Sequence, residues 1–187
     1  MTTSSGQTYL AIPGPSVIPE EVLRSMHRSA PNIYEGELIE ITRSLIPDLN
    51  YVARSSGNVA IYIANGHGIW EAALSNIATA NDHILVVATG RFAHGWAEMA
   101  RKLGIKVDVV DFGKNRALDI EVLAKKLKSE SKTKYKAILM THVDTSTSVK
   151  NDILNVRKKL DEINCSALLA VDCIASLACD KFEMDEW

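Results

Sequence analysis

The stretch Asn65-Gly66-His67-Gly68-Ile69-Trp70-Glu71 decides which fold we expect for this chain of 187 residues. It follows an apolar, β-branched run at residues 59–64, and the length and composition of that run predict a buried strand. Where a strand breaks at glycines and a helix begins, backbone N–H groups point outward at the positive end of the helix dipole. The stretch therefore predicts a phosphate-binding turn. Apolar residues then recur at the spacing of one helix face: Ile69, Ala72, Ala73, Leu74 and Ile77.

Length and composition are ordinary for a soluble globular protein. Hydrophobic residues make up 47% of the chain, charged residues 24%, and the formal net charge is −2, which argues against a nucleic-acid partner. The cysteines Cys165, Cys173 and Cys179 have no C-x-x-C spacing, so we expect reduced thiols and a cytoplasmic location. No apolar run has the length of a membrane span, and residues 1–8 form a loose leader without the core of a signal peptide.

Strands and helices alternate along the chain from residue 57. Strands separated by helices, each strand a nearly continuous apolar run, predict a parallel sheet covered on both faces. The fold class we expect is therefore α/β, an α/β/α sandwich with a mostly parallel sheet. The predicted strands are residues 59–64, 83–88, 106–110, 137–141 and 166–171.

Two helices are predicted before the first strand. Pro19-Glu20-Glu21 begins one of them, with the proline and the acidic residues in its first turn. The other is expected from about residue 36 to residue 46 and should end near Pro47. We expect residues 1–56 to form an N-terminal arm with these helices and residues 57–187 to belong to the sheet domain.

Four loops of unusual composition follow the predicted strands. In doubly wound sheets, ligands bind beyond the carboxyl ends of the strands. The loops at that edge are residues 65–68, 89–92, 142–148 and 172–176. We expect them to surround one ligand.

The phosphate turn fits neither of the common nucleotide motifs. Gly66 and Gly68 give G-x-G, but Glu71 occupies the third glycine position of the dinucleotide fingerprint. No Gly-Lys-Ser/Thr follows, so the Walker pattern is absent as well. A single phosphate on a short glycine turn suits a mononucleotide-like cofactor such as pyridoxal phosphate.

Two further patterns favour plain structural explanations. His142 and Asp144 form an H-x-D pair, but no third ligand lies at a plausible spacing, so we expect no metal site. Several lysines lie between residues 125 and 136 with only Tyr135 as an interleaved aromatic residue. Such a run is typical of a solvated helix face and loop.

Residues 65–74, Asn-Gly-His-Gly-Ile-Trp-Glu-Ala-Ala-Leu, resemble the phosphate-binding turn of the class V aminotransferases. Within that family, the stretch most resembles the alanine–glyoxylate and serine–glyoxylate aminotransferases, which have the fold type I pyridoxal-phosphate fold. Residues 88–92 resemble the loop whose aromatic residue stacks on the cofactor, and residues 141–147 resemble the Thr-His-Gly-Glu-Thr/Ser-Ser-Thr-Gly motif. Residues 171–177 resemble Val-Asp-Ala/Ser-Val-Ser/Ala-Ser-Leu, and Pro13-Gly14-Pro15 resembles a turn on the substrate side.

The resemblance implies a role for the residues that bind phosphate and substrate. Gly66, His67 and Gly68 would donate backbone N–H groups to the phosphate of pyridoxal 5'-phosphate. Pro13 and Gly14 would lie on the substrate side. A helix cap with a solvated imidazole is the alternative for His67.

The resemblance also implies contacts to the pyridine ring. Phe92 would stack on one face of the ring and Ile174 would pack against the other. Thr145 would hydrogen-bond the phenolic oxygen, and Asp172 would pair with the protonated ring nitrogen, which maintains the ring as an electron sink. The alternatives are a core-facing helix residue for Phe92, an ordinary polar loop for Thr145 and a turn cap for Asp172.

The lysine that forms the Schiff base in this family has no match in the sequence. Lys181 follows Asp172 too closely, and Lys150 follows a different motif. We therefore expect an N-terminal portion of an aminotransferase, truncated within the large pyridoxal-phosphate-binding domain and without the small domain. By itself it should be inactive. Val143 and Ser148 replace family glycines, so we expect the loop at residues 142–148 to bend differently.

The activity that the resemblance implies is transamination of a small amino acid, alanine or serine, with a 2-oxo acid such as glyoxylate or pyruvate. The family also implies a homodimer in the complete protein, with Trp70, Trp96 and the N-terminal helices as apolar surface. One alternative is a cysteine desulfurase-like class V enzyme, which would have a histidine in place of Phe92. Another is a non-catalytic α/β module that binds a phosphate-containing cofactor.

Overall fold

The computed structural model describes residues 9–129 and 134–187. The leader expected at residues 1–8 lies outside this part of the chain. The described chain divides into two compact units between Leu45 and Ile46. The assignment of residues 1–56 as an arm and of residues 57–187 as part of a larger domain stays a prediction.

The first two helices begin where the sequence predicts. Helix α1, Glu20–Met26, follows Pro19, and its acidic first turn lies at the positive end of the helix. Helix α2, Glu37–Ala53, continues through Pro47, so the predicted end near that proline is wrong. A proline removes one N–H donor, and the remaining hydrogen bonds of a helix of 17 residues outweigh that loss.

A parallel sheet with two helices on each face forms the centre of the second unit. The strand order is β2-β1-β3-β6, and every neighbouring pair is parallel. A short antiparallel pair, β4 with β5, lies outside this sheet. In chain order the elements are α3 Gly66–Ile77, β1 His83–Ala88, α4 Arg91–Lys102, β2 Lys106–Asp111, α5 Ile120–Ser129, β3 Ala137–Thr141, β4 Val143–Asp144, β5 Val149–Lys150, α6 Ile153–Glu162 and β6 Leu168–Asp172.

The two faces of the sheet bury separate apolar clusters. Side chains alternate along a strand, so Ile84 and Val86 of β1 face α3 and α4, while Leu85 and Val87 face α5 and α6. All four are fully buried, and each contributes about 1.5–3 kcal/mol of hydrophobic stabilisation relative to an exposed side chain. The expected α/β/α sandwich with a parallel sheet is confirmed.

The surface role expected for two tryptophans is wrong. Trp70 is only 4% exposed and Trp96 only 3%. They lie on the inner faces of α3 and α4, and their rings stack with centroids 5.7 Å apart and planes 14° apart. Burial of these large apolar rings stabilises the fold, so neither ring is available as an exposed surface.

The strand predicted at residues 59–64 is also wrong, since the structure has no strand there. Tyr62 is half exposed and Ile63 fully exposed. A strand must share its backbone hydrogen bonds with a neighbour, and within the described residues no strand lies beside this run. Its apolar composition is therefore not sufficient to form one. In the same part of the chain, none of the helices combines the length and hydrophobicity of a membrane span.

Candidate functional site

The loops at the carboxyl edge of the sheet meet in the second unit, as the sequence predicts. In the register of β3 and β6, Thr141 lies opposite Asp172, so the loops after these strands start side by side. The hydroxyl of Thr147 donates to the carbonyl of Thr89 at 3.0 Å, which joins the loop after β3 to the loop after β1. The start of α3 reaches the same place, because a Cβ on Gly66 would lie 3.3 Å from Ile174 Cδ1.

The start of α3 leaves two backbone donors free. Asn65 caps the helix, and its Oδ1 accepts the N–H of Gly68 at 3.1 Å. The N–H groups of Gly66 and His67 have no hydrogen-bond partner among residues 9–129 and 134–187. Two free donors at a helix start suit the phosphate of a cofactor. Gly68 has a structural reason to be glycine, because a Cβ there would lie 2.6 Å from the Cβ of Ala64.

Aromatic rings line the space next to this turn. The centroid of His67 lies 6.4 Å from that of Phe92 and 4.6 Å from that of Trp70. Phe92 is partly buried and contacts the Trp70 ring edge-on, with centroids 6.2 Å apart. Phe92 thus packs against the core of its helix and also lies beside the phosphate turn. Its stacking on a cofactor ring stays a prediction.

Asp172 ends β6 with both carboxylate oxygens hydrogen-bonded. Oδ1 accepts the backbone N–H of Ile174 at 3.0 Å, and Oδ2 accepts the indole N–H of Trp70 at 2.9 Å. The bond from Ile174 is a turn cap, which is the alternative role considered for Asp172. An ionised carboxylate offers about four lone-pair sites, so Asp172 can still accept a proton donor from a ligand. Ile174, two residues on, is 69% exposed and free to contact one.

Asp144 is fully buried and closes the start of α4. Its Oδ2 accepts the backbone N–H groups of Phe92 at 3.0 Å and Ala93 at 3.3 Å. Its Oδ1 accepts the N–H and the hydroxyl of Ser146 at 3.0 and 2.6 Å. The positive end of α4 is thus already neutralised, which leaves α3 as the helix start for a phosphate. Within the described residues no cluster of three or more His, Cys, Asp or Glu could hold a metal ion.

His142 joins the loop after β3 to the loop after β6. Its Nδ1 lies 2.9 Å from Ser176 Oγ, and its backbone N–H donates to the carbonyl of Asp172 at 2.8 Å. Both side chains of this pair are buried. Burial lowers the pKa of His142, with nearby Lys150 acting in the same direction against Asp180 and Asp152, so the imidazole is neutral at pH 7. It acts as a buried hydrogen-bonding group.

The loop at residues 142–148 folds as the short pair β4–β5. Ser148 has φ of 58°, in the left-handed region that glycine adopts most easily. Ser148 therefore has a backbone conformation typical of glycine, and the different bend expected for this loop stays a prediction. Thr145 is half-buried in the same loop, next to Asp144. Its hydrogen bond to the cofactor stays a prediction.

Both lysines considered from the sequence form surface ion pairs. Lys150 Nζ lies 2.6 Å from a carboxylate oxygen of Asp180, and Lys181 Nζ lies 3.4 Å from one of Glu183. Cys173, beside Asp172, is a poor candidate for a nucleophile. Its burial raises the pKa of the thiol to about 11, and the charge of Asp172 adds to the effect.

A cavity of about 630 Å³ opens between α3 and α4. His67, Trp70 and Phe92 line it, together with charged side chains of both helices, but Asp172 does not. The contacts between loops, rather than this cavity, therefore define the candidate cofactor cradle, by which we mean residues 65–68, 89–92, 142–148 and 172–176. Pro13 and Gly14 lie in the first unit, and their place on the substrate side stays a prediction.

The sequence did not reveal the hydrogen bond between Trp70 and Asp172 or the contact between His142 and Ser176. The hydrogen bond from Trp70 to Asp172 spans 102 positions in the chain. Trp70 lies on the inner face of α3, but no local pattern identifies the acceptor of its N–H. The partner becomes visible only when β6 is placed in the sheet.

Comparisons with known proteins agree with this geometry. Residues 8–187 match the family model "Aminotransferase class-V". The chain is 35% identical to serine–glyoxylate aminotransferase of Arabidopsis thaliana over 97% of its own length and 46% of that protein. It is 30% identical to alanine–glyoxylate aminotransferase 1 of Saccharomyces cerevisiae over 99% of its length and 49% of that protein. The crystal structure of ureidoglycine–glyoxylate aminotransferase from Bacillus subtilis superposes with a TM-score of 0.84 at 24% identity, covering 94% of this chain and 44% of that one.

The fold is the α/β fold of aminotransferases among the solved structures. The chain belongs to the class V aminotransferase family, whose members are transferases with pyridoxal 5'-phosphate as cofactor. The family, enzyme class and cofactor expected from the sequence are confirmed. The chain spans about half the length of the curated relatives it matches.

Replacing Ser148 with glycine should stabilise the protein. Serine at a left-handed φ carries a strain of about 1–2 kcal/mol, which glycine does not. We expect the free energy of unfolding to rise by about 1 kcal/mol for Ser148→Gly, measured by urea denaturation. The control is Ser166→Gly, at an exposed loop serine outside the left-handed region, which should not stabilise. Equal effects of both variants would contradict this account of Ser148.

Proposed function

We propose that this chain supplies the phosphate-binding and ring-binding residues of an aminotransferase that acts on a small amino acid. The observation that carries the proposal is the meeting of two free N–H donors, on Gly66 and His67, with the carboxylate of Asp172 in one group of loops. Such a group complements a ligand that has a phosphate at one end and a basic ring nitrogen at the other.

At the phosphate end, the chain would bind through backbone groups at the start of α3. The N–H groups of Gly66 and His67 would donate to phosphate oxygens, and the helix dipole favours the negative charge. Gly68 is a weaker candidate, because its N–H already donates to Asn65.

At the ring end, Asp172 would hold a proton on the ring nitrogen. Buried or half-buried carboxylates are stable when a cation pairs with them, and the protonated nitrogen is such a cation. Phe92 and Ile174 would confine the ring from its two faces, and Thr145 would bind its phenolic oxygen. Bound pyridoxal phosphate supplies the electron sink that amino-group transfer requires.

The substrate class rests on the names of the relatives. The Arabidopsis protein is named for serine and glyoxylate, and the yeast protein for alanine and glyoxylate. A relative in Paracoccus denitrificans is named for L-aspartate and glyoxylate. We therefore propose serine or alanine as the amino donor and glyoxylate or a similar 2-oxo acid, such as pyruvate, as the acceptor.

We also propose that the complete protein is a homodimer. Ile61, Tyr62 and Ile63 are exposed in the second unit, and Ile63 is fully so, which suits a surface that another polypeptide covers. Light scattering on the complete, cofactor-loaded protein should give twice the mass of one chain. A monomeric mass would contradict the dimer.

The first experiment on the proposed function titrates the 187-residue chain with pyridoxal phosphate and follows absorbance. We expect saturable binding that weakens at least about tenfold in Asp172→Asn, because a charged hydrogen bond is worth about 1.5–3 kcal/mol. Asp161→Asn is the matched control, since Asp161 is exposed and pairs with Arg157 within its own helix. Absence of binding, or equal affinity in Asp172→Asn, would contradict the proposed site.

The same samples test whether these 187 residues contain the covalent lysine. After reduction with borohydride and peptide mass mapping, we expect no specifically labelled lysine and no glyoxylate turnover. Stoichiometric labelling of one lysine, Lys150 or Lys181 included, would show that the chain has its own nucleophile. Turnover with serine or alanine would contradict the expected inactivity of these residues alone.

A further inference from the structure

We propose that Trp70 is a positioning residue for the cofactor, which acts by holding the carboxylate of Asp172 in place. The inference rests on the proposed function, since it concerns how the same cradle recognises the ring nitrogen. Its basis is a side-chain hydrogen bond between two residues that lie on different elements. Trp70 itself need not touch the cofactor.

The hydrogen bond fixes one oxygen of the carboxylate. Trp70 Nε1 lies 2.9 Å from Asp172 Oδ2, while the N–H of Ile174 holds Oδ1 at 3.0 Å. An N–H bonded to an ionised oxygen is a strong donor contact, and Trp70 is 4% exposed, so water competes little for it. With one donor on each oxygen, the plane of the carboxylate is set before any ligand arrives.

Packing prevents the indole from turning away. The ring of Trp70 stacks on that of Trp96, with centroids 5.7 Å apart. It meets the ring of His67 in an edge-to-face arrangement, with centroids 4.6 Å apart. A Cβ on Gly95 would lie only 3.3 Å from Trp70 Cζ3, so the absent side chain of this glycine leaves the room that the indole fills. The direction of the N–H is therefore determined by the core as well as by Asp172.

Trp70 also couples the two ends of the cradle. It lies on α3 one helical turn after Gly66, so its hydrogen bond ties the start of α3 to the end of β6. The phosphate donors are at the first of these places and the carboxylate for the ring nitrogen is at the second. The bond thus fixes the distance between the phosphate donors and the carboxylate. A rigid pyridine ring requires that distance to be fixed.

Trp96 is an internal control for this role. It is as deeply buried as Trp70 and stacks on it, but its Nε1 has no hydrogen-bond partner in the described part of the chain. Replacing either tryptophan with phenylalanine removes a similar volume. Only Trp70→Phe removes a donor to Asp172.

The test compares pyridoxal phosphate with its analogue in which carbon replaces the ring nitrogen. We expect Trp70→Phe to lower the affinity of the chain for pyridoxal phosphate about tenfold and to change the affinity for the analogue much less, so that the ratio of the two affinities falls. Trp96→Phe should lower that ratio much less, because the donor to Asp172 remains and phenylalanine can still stack on Trp70. An unchanged ratio in Trp70→Phe, or an equal fall in Trp96→Phe, would overturn the inference.

A second measurement does not depend on the folding of Trp70→Phe. In the unliganded chain, Asp172→Asn should shift the indole N–H resonance of Trp70 and speed its exchange with water, and should leave that of Trp96 in place. If neither resonance moves, the inference is overturned. If the wild-type chain binds neither ligand, the proposed function fails, whereas normal wild-type binding with an unchanged ratio in Trp70→Phe refutes the role of Trp70 alone.

Discussion

The buried carboxylate of Asp144 is the contact on which the geometry of the cradle depends. A fully buried charge is tolerated only when donors surround it, and Asp144 obtains them from two loops, through the N–H groups at the start of α4 and through Ser146. Gly90 makes the approach possible, because a Cβ at that residue would collide with the carboxylate. The loops after β1 and β3 are thereby locked together, and Phe92 and Thr145 are held close to each other.

The same principle assigns different tasks to the other helix starts. The start of α6 is capped by Asp152 and the start of α4 is satisfied by Asp144, so the chain uses its own carboxylates at both. At α3 the cap is the neutral Asn65, which accepts the N–H of Gly68, and those of Gly66 and His67 have no partner among the residues that the structure describes. In contrast to α4 and α6, α3 therefore begins without a carboxylate cap and can accept an anion.

Most of the fold could be predicted because its signals are local. The strands β1, β2, β3 and β6 are apolar runs between turn residues, and Gly104, at φ of 78°, ends α4 where the sequence places it. The run at residues 59–64 failed because a strand depends on a neighbour that no local pattern reveals. Trp70 was wrongly expected at the surface, whereas it packs against Trp96 of α4. Its bond to Asp172 could not be predicted, because β6 lies about a hundred residues further along the chain. The roles of Asp172, Phe92, Thr145 and Ile174 came from resemblance, and they stay predictions.

We propose that the loops form one cradle with a phosphate end at α3 and a nitrogen end at β6. A crystal structure of the chain with bound pyridoxal phosphate tests it most directly. The account predicts phosphate density within hydrogen-bond distance of the N–H groups of Gly66 and His67, and the ring nitrogen within hydrogen-bond distance of Asp172, with Trp70 still bonded to the other side of the carboxylate. Cofactor density elsewhere, or a ring nitrogen that faces away from Asp172, would contradict it.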